Sequence, residues 1–142
     1  MTVVLDTNVL VSALINPTGV PATILSLLLN GKLTVLHDNR ILEEYREVLS
    51  RPKFHFKESQ ILYLLDYIRH EGEFVTADPL KIPSVAEGDK MFYEVAKTGK
   101  AQYLVTGNKR HFPNERMVRT PKEFVDTYLS REQSRGGTGK GK

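Results

Sequence analysis

Residues 3–10 of the chain read Val3-Val4-Leu5-Asp6-Thr7-Asn8-Val9-Leu10. Aliphatic residues that run into a polar triplet are typical of a strand buried on both faces of a parallel sheet. Such a strand delivers Asp6 to the carboxyl edge of the sheet, where open α/β sheets bind their ligands. The triplet Asp6-Thr7-Asn8 also suits a simpler role, because all three residue types cap helices well and a helix is predicted from Val9.

Strand-like and helix-like patterns alternate along the rest of the chain, without an internal repeat or linker. We predict strands at residues 2–5, 33–36, 74–75, 102–105 and 117–118. We predict helices at residues 9–15, 21–30, 39–50, 58–70, 85–98 and 121–129. Parallel strands joined through helices need right-handed crossovers, so this order predicts an α/β fold with a mainly parallel sheet.

The composition limits the class of protein. A chain of 142 residues with 40% hydrophobic content predicts one globular domain that needs no covalent staple. The absence of cysteine excludes disulfides and thiolate metal sites, and it fits a reducing compartment. The apolar stretches are too short to span a bilayer, and the amino terminus lacks the pattern of a signal peptide, so we expect a cytoplasmic protein.

The basic charge of the chain is concentrated at its carboxyl end. The sequence pI is about 9.1, but residues 131–142 contain four basic residues and one acid, which account for the whole formal charge of +3. We therefore predict a near-neutral domain at residues 1–130 and a disordered, glycine-rich basic tail at residues 131–142. The tail is either simply solvated or an electrostatic tether for RNA.

Helical geometry separates the acids on the predicted helix 39–50. Its apolar side chains form one stripe, made of Ile41, Leu42, Tyr45, Val48 and Leu49. Glu43 and Glu47 point nearly opposite this stripe, whereas Glu44 lies roughly 100° from its centre, at the border. Glu44 is therefore the acid that can turn towards the sheet edge, although a surface position beside the stripe explains it equally simply.

The same geometry applies to the predicted helix 85–98. Asp89 lies within about 70° of the core direction, while Glu87, Lys90 and Glu94 fall on the far side. The spacing of Ser84-Val85-Ala86-Glu87 is that of a capping box, so Asp89 is not needed as a cap, but its charge also favours the positive end of the helix. Three acids from separate elements that point to one edge repel each other unless a cation lies between them.

Four stretches, at residues 4–13, 41–54, 88–96 and 103–112, resemble the PIN-domain nucleases, especially the VapC-like toxins of bacterial toxin–antitoxin pairs. They occur in the family order and cover nearly the whole chain to about residue 129. The resemblance implies a three-layer α/β/α sandwich, with a mainly parallel sheet of about five strands and a metal-dependent ribonuclease site at its carboxyl edge. It also implies a small antitoxin protein that blocks the acidic groove, and a homodimer.

The resemblance also implies the residues of the site. The acidic metal ligands of the family correspond to Asp6, Glu44 and Asp89, and its threonine or serine after the fourth strand corresponds to Thr106. Asn8 matches the polar residue that commonly follows the first acid. Asn108 stands where many members have a fourth aspartate, and an amide supplies no charge, so we expect three carboxylates and weaker metal binding.

Such a site supports metal-assisted hydrolysis of RNA phosphodiester bonds. Oxygen ligands suit Mg²⁺ or Mn²⁺, which activates a water and neutralises charge on the phosphate. We expect Asp6 and Asp89 to contact the ion most directly and Glu44 to orient the water. Thr106 and Asn108 then position water or phosphate.

Two basic stretches are candidates for holding the RNA. The first, Arg51-Pro52-Lys53-Phe54-His55-Phe56-Lys57, interleaves cations with aromatic rings, a composition suited to phosphate contact and base stacking. It is equally a helix end followed by core phenylalanines. The second, Lys109-Arg110-His111, directly follows Asn108 and should lie beside the site. We expect Lys109 and Arg110, with Asn8, to contact the substrate unless the stretch is a solvated loop. The near-neutral body favours a short or structured RNA over sequence-blind binding to long nucleic acid.

Two interpretations from other classes stay open, and one apolar helix face has two possible roles. Asn108 and the neutral body also fit a catalytically silent PIN-like module that binds RNA or a protein. An aspartyl phosphotransferase or phosphatase would use Asp6 as nucleophile, but its usual second acid is replaced by Asn8. The apolar face of the predicted helix 58–70 is either core or a protein contact, and its members are Ile61, Leu62, Leu64, Leu65 and Ile68.

Overall fold

Five strands and six α-helices make up the fold in a computed structural model that describes residues 1–80 and 85–140, with side chains described as far as residue 134. The strands are β1 (Thr2–Leu5), β2 (Thr34–His37), β3 (Glu73–Phe74), β4 (Tyr103–Val105) and β5 (Val118–Arg119). The helices are α1 (Thr7–Ile15), α2 (Val20–Leu29), α3 (Asn39–Leu49), α4 (Glu58–Glu71), α5 (Glu87–Thr98) and α6 (Pro121–Lys140). Two short 3₁₀ turns, Pro52–Phe54 and Lys109–His111, follow α3 and β4.

The strands form one sheet in the order β3-β2-β1-β4-β5, and every pair is parallel. The chain moves outward from β1 through β2 to β3, and then crosses back to β4 on the other side of β1. This reversal places a crevice between the carboxyl ends of β1 and β4, which is where such sheets bind ligands. The predicted α/β/α fold with about five mainly parallel strands is confirmed.

Helices cover both faces of the sheet and bury its central strand. The α5 helix packs across β1, β2 and β4, while α6 packs on β4 and β5 and contacts α2. Val3, Val4 and Leu5 are fully buried, as expected of a strand with helices on both sides. Four apolar residues of α4 belong to the core, but Leu62 stays exposed.

The element bounds agree with the sequence pattern to within one or two residues, except in α6. The α1 helix begins at Thr7 because Asp6 takes its N-cap position, and α2 ends before Gly31, whose φ of +75° suits a glycine. The backbone of α6 continues past the predicted end at 129 to Lys140, and the Arg131 guanidinium lies 5.8 Å from the ring centroid of Tyr103. The predicted end of this helix is therefore too early, while the division into a domain at residues 1–130 and a disordered tail stays a prediction.

Two predictions for α5 have different outcomes. Ser84 of the predicted capping box lies outside the described residues, and the N-cap position is held by Ala86 without a side-chain hydrogen bond. The prediction that Glu94 lies on the far, solvated side is wrong, since only 6% of it is exposed. Arg40 of α3 and the backbone amide of Leu80 both donate to its carboxylate and cover it.

Within the described part of the chain, no single helix has the length and apolar character needed to cross a membrane. The α1 and α2 helices reach that length and composition together, but they meet at a bend of 102°.

Candidate active site

Three acids that are far apart in the sequence line one cavity at the carboxyl edge of the sheet. The cavity has a volume of about 430 Å³ and is lined by Asp6 after β1, Glu44 of α3 and Asp89 in the first turn of α5. A second cavity, of about 450 Å³, lies at the amino end of the strands, and its lining mixes Lys32 and Arg131 with Glu132. Only the first cavity collects the predicted acids, so the site is built there.

Asp6 is held in place by the strand next to its own. Its backbone amide donates to the carbonyl of Val105 (2.9 Å), which fixes the end of β1 against β4. Its side-chain Oδ2 accepts a hydrogen bond from Thr106 Oγ1 (2.8 Å), and Thr106 is completely buried. Asp6 occupies the N-cap position of α1, yet its side chain makes no capping hydrogen bond. Capping therefore does not explain why a carboxylate is buried here.

The charge on Asp6 is unfavourable in this setting. Burial raises the pKa of its carboxyl, the hydrogen bond from Thr106 opposes that rise, and the negative charge of Asp89 adds to it. The backbone amides of Thr7 and Asn8 lie close enough to oppose it further. A cation placed between Asp6 and Asp89 would remove the repulsion between them.

Asn8 and Asn108 belong to the network that joins the two strand ends. Asn8 donates weakly through Nδ2 to Asp6 (3.4 Å) and accepts at Oδ1 from the backbone amide of Gly107 (3.0 Å). The backbone amide of Asn108 donates to Thr106 Oγ1 (2.9 Å), and its side chain lines the cavity. Thr106 is thus a buried bridge between Asp6 and the loop after β4, and Asn8 ties the same loop to α1.

Glu44 and Asp89 approach the cavity from the helices, as their angular positions predict. Glu44 Oε2 accepts from Thr7 Oγ1 (3.2 Å), while Glu43 and Glu47 on the opposite side of α3 are exposed. Asp89 Oδ2 lies 3.5 Å from His111 Nδ1, an ion pair only when the imidazole is protonated. Neither Asp6 nor Glu44 has a salt-bridge partner in the described part of the chain.

The two predicted RNA-contacting cations do not line the cavity. Lys109 Nζ pairs with Glu123 of α6 at 3.0 Å. Arg110 is exposed beside it. Their contact with the substrate stays a prediction. His111, which follows them, is the residue of this turn that reaches the cavity.

Other residues of the site lie in stretches that the sequence indicated only by composition or position. Arg51 and Phe54, from the stretch 51–57, line the cavity, and His111, from the basic stretch after Asn108, lies against Asp89. Sequence reasoning missed the contacts of Thr7 and Tyr45. Thr7 donates to Glu44, and Tyr45 donates its hydroxyl to the carbonyl of Leu5 (2.5 Å) and so links α3 to the residue before Asp6. These two contacts join positions far apart in sequence, and no local pattern indicates them.

The donor set suits a divalent cation such as Mg²⁺ or Mn²⁺, because carboxylate, amide and hydroxyl oxygens are the ligands these ions prefer. The repulsion between Asp6 and Asp89 agrees with this, as does the lack of a salt bridge to Asp6 or Glu44 within the described residues. As placed, however, no three Asp, Glu or His side chains among the described residues stand close enough to form a ready cluster. Mg²⁺ and Mn²⁺ keep several waters in protein sites, so a cation bound here would take part of its coordination from water.

Comparisons with known proteins agree with this arrangement. The family model described as PIN domain matches residues 2–110. The chain is 30% identical, over 141 aligned residues, to an uncharacterized protein of Methanocaldococcus jannaschii, and the alignment covers 89% of this chain and 90% of that protein. No solved structure matches the chain significantly.

Proposed function

This chain belongs to the PIN domain family, and from that premise we propose that it is a metal-dependent endoribonuclease that hydrolyses RNA phosphodiester bonds. The family has a nuclease-type fold and generally uses divalent metal ions. The observation that carries the proposal is that Asp6, Glu44 and Asp89, from three separate elements, line one cavity while Asp6 and Glu44 have no salt bridge among the described residues. Unpaired acids that converge in this way are costly unless they serve a cation.

The residues of the cavity would have different roles in the reaction. Asp6 and Asp89 would hold Mg²⁺ or Mn²⁺, which supplies an activated water and neutralises charge on the phosphate. Glu44, fixed by Thr7, is placed to orient the attacking water. Thr106 holds the Asp6 carboxylate by hydrogen bond. His111, when protonated, is a donor that can reach either Asp89 or a substrate phosphate.

We further propose that this ribonuclease is the toxin of a toxin–antitoxin pair, that it dimerises and that it acts in the cytoplasm. The support is the family membership and the four stretches that resemble such toxins. Leu62 and Tyr63 on α4 are 42% and 65% exposed, which provides apolar surface for an antitoxin or a second subunit. Co-expression of this chain with a candidate antitoxin shows whether its activity is neutralised, and so tests this finer proposal separately from the chemistry.

RNA cleavage in Mn²⁺, in Mg²⁺ and in EDTA tests the chemistry. The wild-type protein is compared with an Asp6→Ala, Asp89→Ala double variant and with an Asp66→Ala, Glu43→Ala control, which removes two exposed acids outside the cavity. We expect cleavage in either metal, none in EDTA, none by the first variant and full activity in the control. A second readout is the unfolding temperature, which Mn²⁺ should raise in the wild type and the control but not in the first variant.

A catalytically silent RNA- or protein-binding module is the second candidate. Two observations favour it, namely Asn108 in place of an acid and the lack of a ready three-ligand cluster among the described side chains. Folded wild-type protein that cleaves no RNA in either metal would establish this alternative. In that event the Asn108→Asp variant shows whether the missing charge is the cause.

A further inference from the structure

The segment after α3 presents an aromatic ring to the acid-lined cavity. Phe54, the last residue of the first 3₁₀ turn, lines the cavity and is partly exposed. Phe56, two residues later, packs against the hydrophobic core, and Phe54 is not among the described apolar residues that do so. Core packing therefore accounts for Phe56 but not for the position of Phe54.

The backbone between these residues brings their rings together. His55 adopts a left-handed conformation with φ of 55°, which is uncommon for a residue other than glycine. The turn stacks the Phe54 and Phe56 rings with centroids 5.4 Å apart and planes within 10° of parallel. The core therefore holds the Phe56 ring in place, and the Phe54 ring that stacks on it lines the cavity.

Three cations flank this pair of rings in the sequence, and one of them lies over a ring. Lys53 Nζ lies 5.1 Å from the centroid of the Phe54 ring, and Arg51 lines the cavity while it pairs with Glu47 at 2.8 Å. Lys57 follows on an exposed position. Rings interleaved with cations are the composition of sites that bind single-stranded nucleic acid, where bases stack and phosphates meet positive charge.

We propose that Phe54, backed by Phe56, is the platform on which one unpaired base of a single-stranded RNA stacks beside the acid-lined cavity. This inference rests on the proposed ribonuclease function and names the form of its substrate. The Lys53 ammonium can move to a phosphate when the base arrives, because a cation–π contact at an exposed site is weaker than the stacking of a base. A duplex does not fit the platform, since its bases are already stacked within the helix.

Fluorescence of 2-aminopurine, which falls when the base stacks, measures this contact directly. The probe is a short single-stranded RNA that carries 2-aminopurine at one position, moved along the strand in a series. The protein is the Asp89→Asn variant in EDTA, so that the RNA stays intact. Phe54→Leu and Phe54→Trp are compared in this background, and Phe74→Leu, which removes a 55% exposed aromatic ring of β3 outside the cavity, is the matched control.

We expect quenching at one position of the strand, a dissociation constant about tenfold higher for Phe54→Leu, and recovery with Phe54→Trp. The Phe74→Leu control should bind like its parent, and the same sequence as a duplex should bind equally well with or without Phe54→Leu. Single-stranded binding that is unaffected by Phe54→Leu, or quenching that does not depend on it, overturns the inference.

Wild-type cleavage in Mn²⁺, measured in parallel, keeps the two proposals apart. If the wild type cleaves RNA and Phe54→Leu binds normally, the platform is refuted and the nuclease stands. If the wild type does not cleave but quenching still depends on Phe54, the platform is supported as part of an RNA-binding site and the nuclease is refuted.

Discussion

A single buried hydroxyl joins the two elements that carry Asp6 and Glu44. Tyr45 is completely buried, and its hydroxyl donates to the carbonyl of Leu5, the residue before Asp6. Burial raises the pKa of Tyr45 well above its usual value, and the nearby charges of Asp6 and Glu44 raise it further. The phenol therefore stays protonated and remains a donor. Tyr45 acts through Leu5 and is a positioning residue rather than a catalytic one.

Replacement of Tyr45 by phenylalanine should affect both stability and RNA cleavage. The lost hydrogen bond leaves a buried carbonyl short of a partner, so we expect about 1–2 kcal/mol less free energy of unfolding in urea. We also expect kcat for RNA cleavage to fall about tenfold with little change in KM, because Asp6 moves relative to Glu44 while the RNA-binding surface stays intact.

Tyr67→Phe is the matched control for this prediction. Tyr67 also donates its hydroxyl to a backbone carbonyl, that of Leu28 at 2.9 Å, but it belongs to α4 and does not line the cavity. We expect a loss of stability and no loss of kcat. Equal loss of kcat in the two variants would show that Tyr45 contributes only to stability.

The placement of the acids could be predicted from the sequence, but much of their surroundings could not. A strand followed by a polar triplet locates Asp6, and helical angles locate Glu44 and Asp89, because both depend only on local geometry. Contacts between distant positions leave no such pattern. Lys109, for example, pairs with Glu123 of α6 and does not line the cavity.

At the level of elements, a charged cluster joins α3, α5 and the segment before α5. Asp38 caps α3 by accepting from the backbone amide of Ile41 (2.9 Å), and Arg40 bridges Asp38 and Glu94 at 2.7 Å each. Glu94 also accepts from the amide of Leu80 (2.8 Å). Burial raises the pKa of Glu94, but hydrogen bonds from Leu80 and Arg40 outweigh it and leave the pKa below its usual value.

Glu94→Gln should lower stability at neutral pH, and the loss should disappear in acid. A carboxylate whose pKa is lowered by folding stabilises the fold when the pH is above its pKa in the unfolded chain. That contribution is lost as the pH falls below about 4.5. We expect the variant to be about 1–3 kcal/mol less stable at pH 7, the usual worth of hydrogen bonds to a charged group. Urea unfolding between pH 3 and 7 measures the difference.

Glu87→Gln, on the same helix, is the control for this pH series. The Glu87 side chain is 88% exposed and pairs with Lys90 at the surface, so its replacement should change the free energy of unfolding little. A difference between wild type and Glu94→Gln that stays constant down to pH 3 would contradict the role of the charge.

The order of the elements followed from sequence periodicity, while tertiary contacts adjusted their ends. The β2, β3 and β5 strands lie within one residue of their predicted positions. Short apolar runs in the sequence do not define the ends of a strand more closely than this. The helical pattern placed Glu94 on the solvated side because it ignores the segment that folds over α5. The predicted end of α6 is too early. Glycines at 136 and 137 disfavour a helix in the sequence, but the Arg131 guanidinium lies over the Tyr103 ring, a tertiary contact that the sequence does not reveal.

For the whole molecule, a buried histidine in the core couples stability to pH. His37, at the carboxyl end of β2, is 1% exposed, and neither ring nitrogen makes a well-formed hydrogen bond within the described part of the chain. Its ring meets Phe74 of β3 edge-on, with centroids 6.1 Å apart, and α4 packs against it through Ile68. Burial lowers the pKa of His37, and Arg69 adds to this, whereas Ile68 and Asp38 oppose it.

Protonation of His37 should therefore destabilise the whole domain in a pH range separate from that of Glu94. A histidine whose pKa is lowered by folding contributes its full stability when the pH is above about 6.5, its pKa in the unfolded chain. This contribution is lost as the pH falls from there through the pKa of the folded state. The free energy of unfolding should fall with decreasing pH below about 6.5, by at most about 1.4 kcal/mol per unit for one proton.

In His37→Gln this slope should vanish, while the decline below pH 4.5 from Glu94 remains. His55→Gln, at an exposed position, should keep both declines, and urea unfolding of the three proteins between pH 3 and 8 separates the two contributions. A slope between pH 6.5 and 5 that persists in His37→Gln would place the titrating group elsewhere.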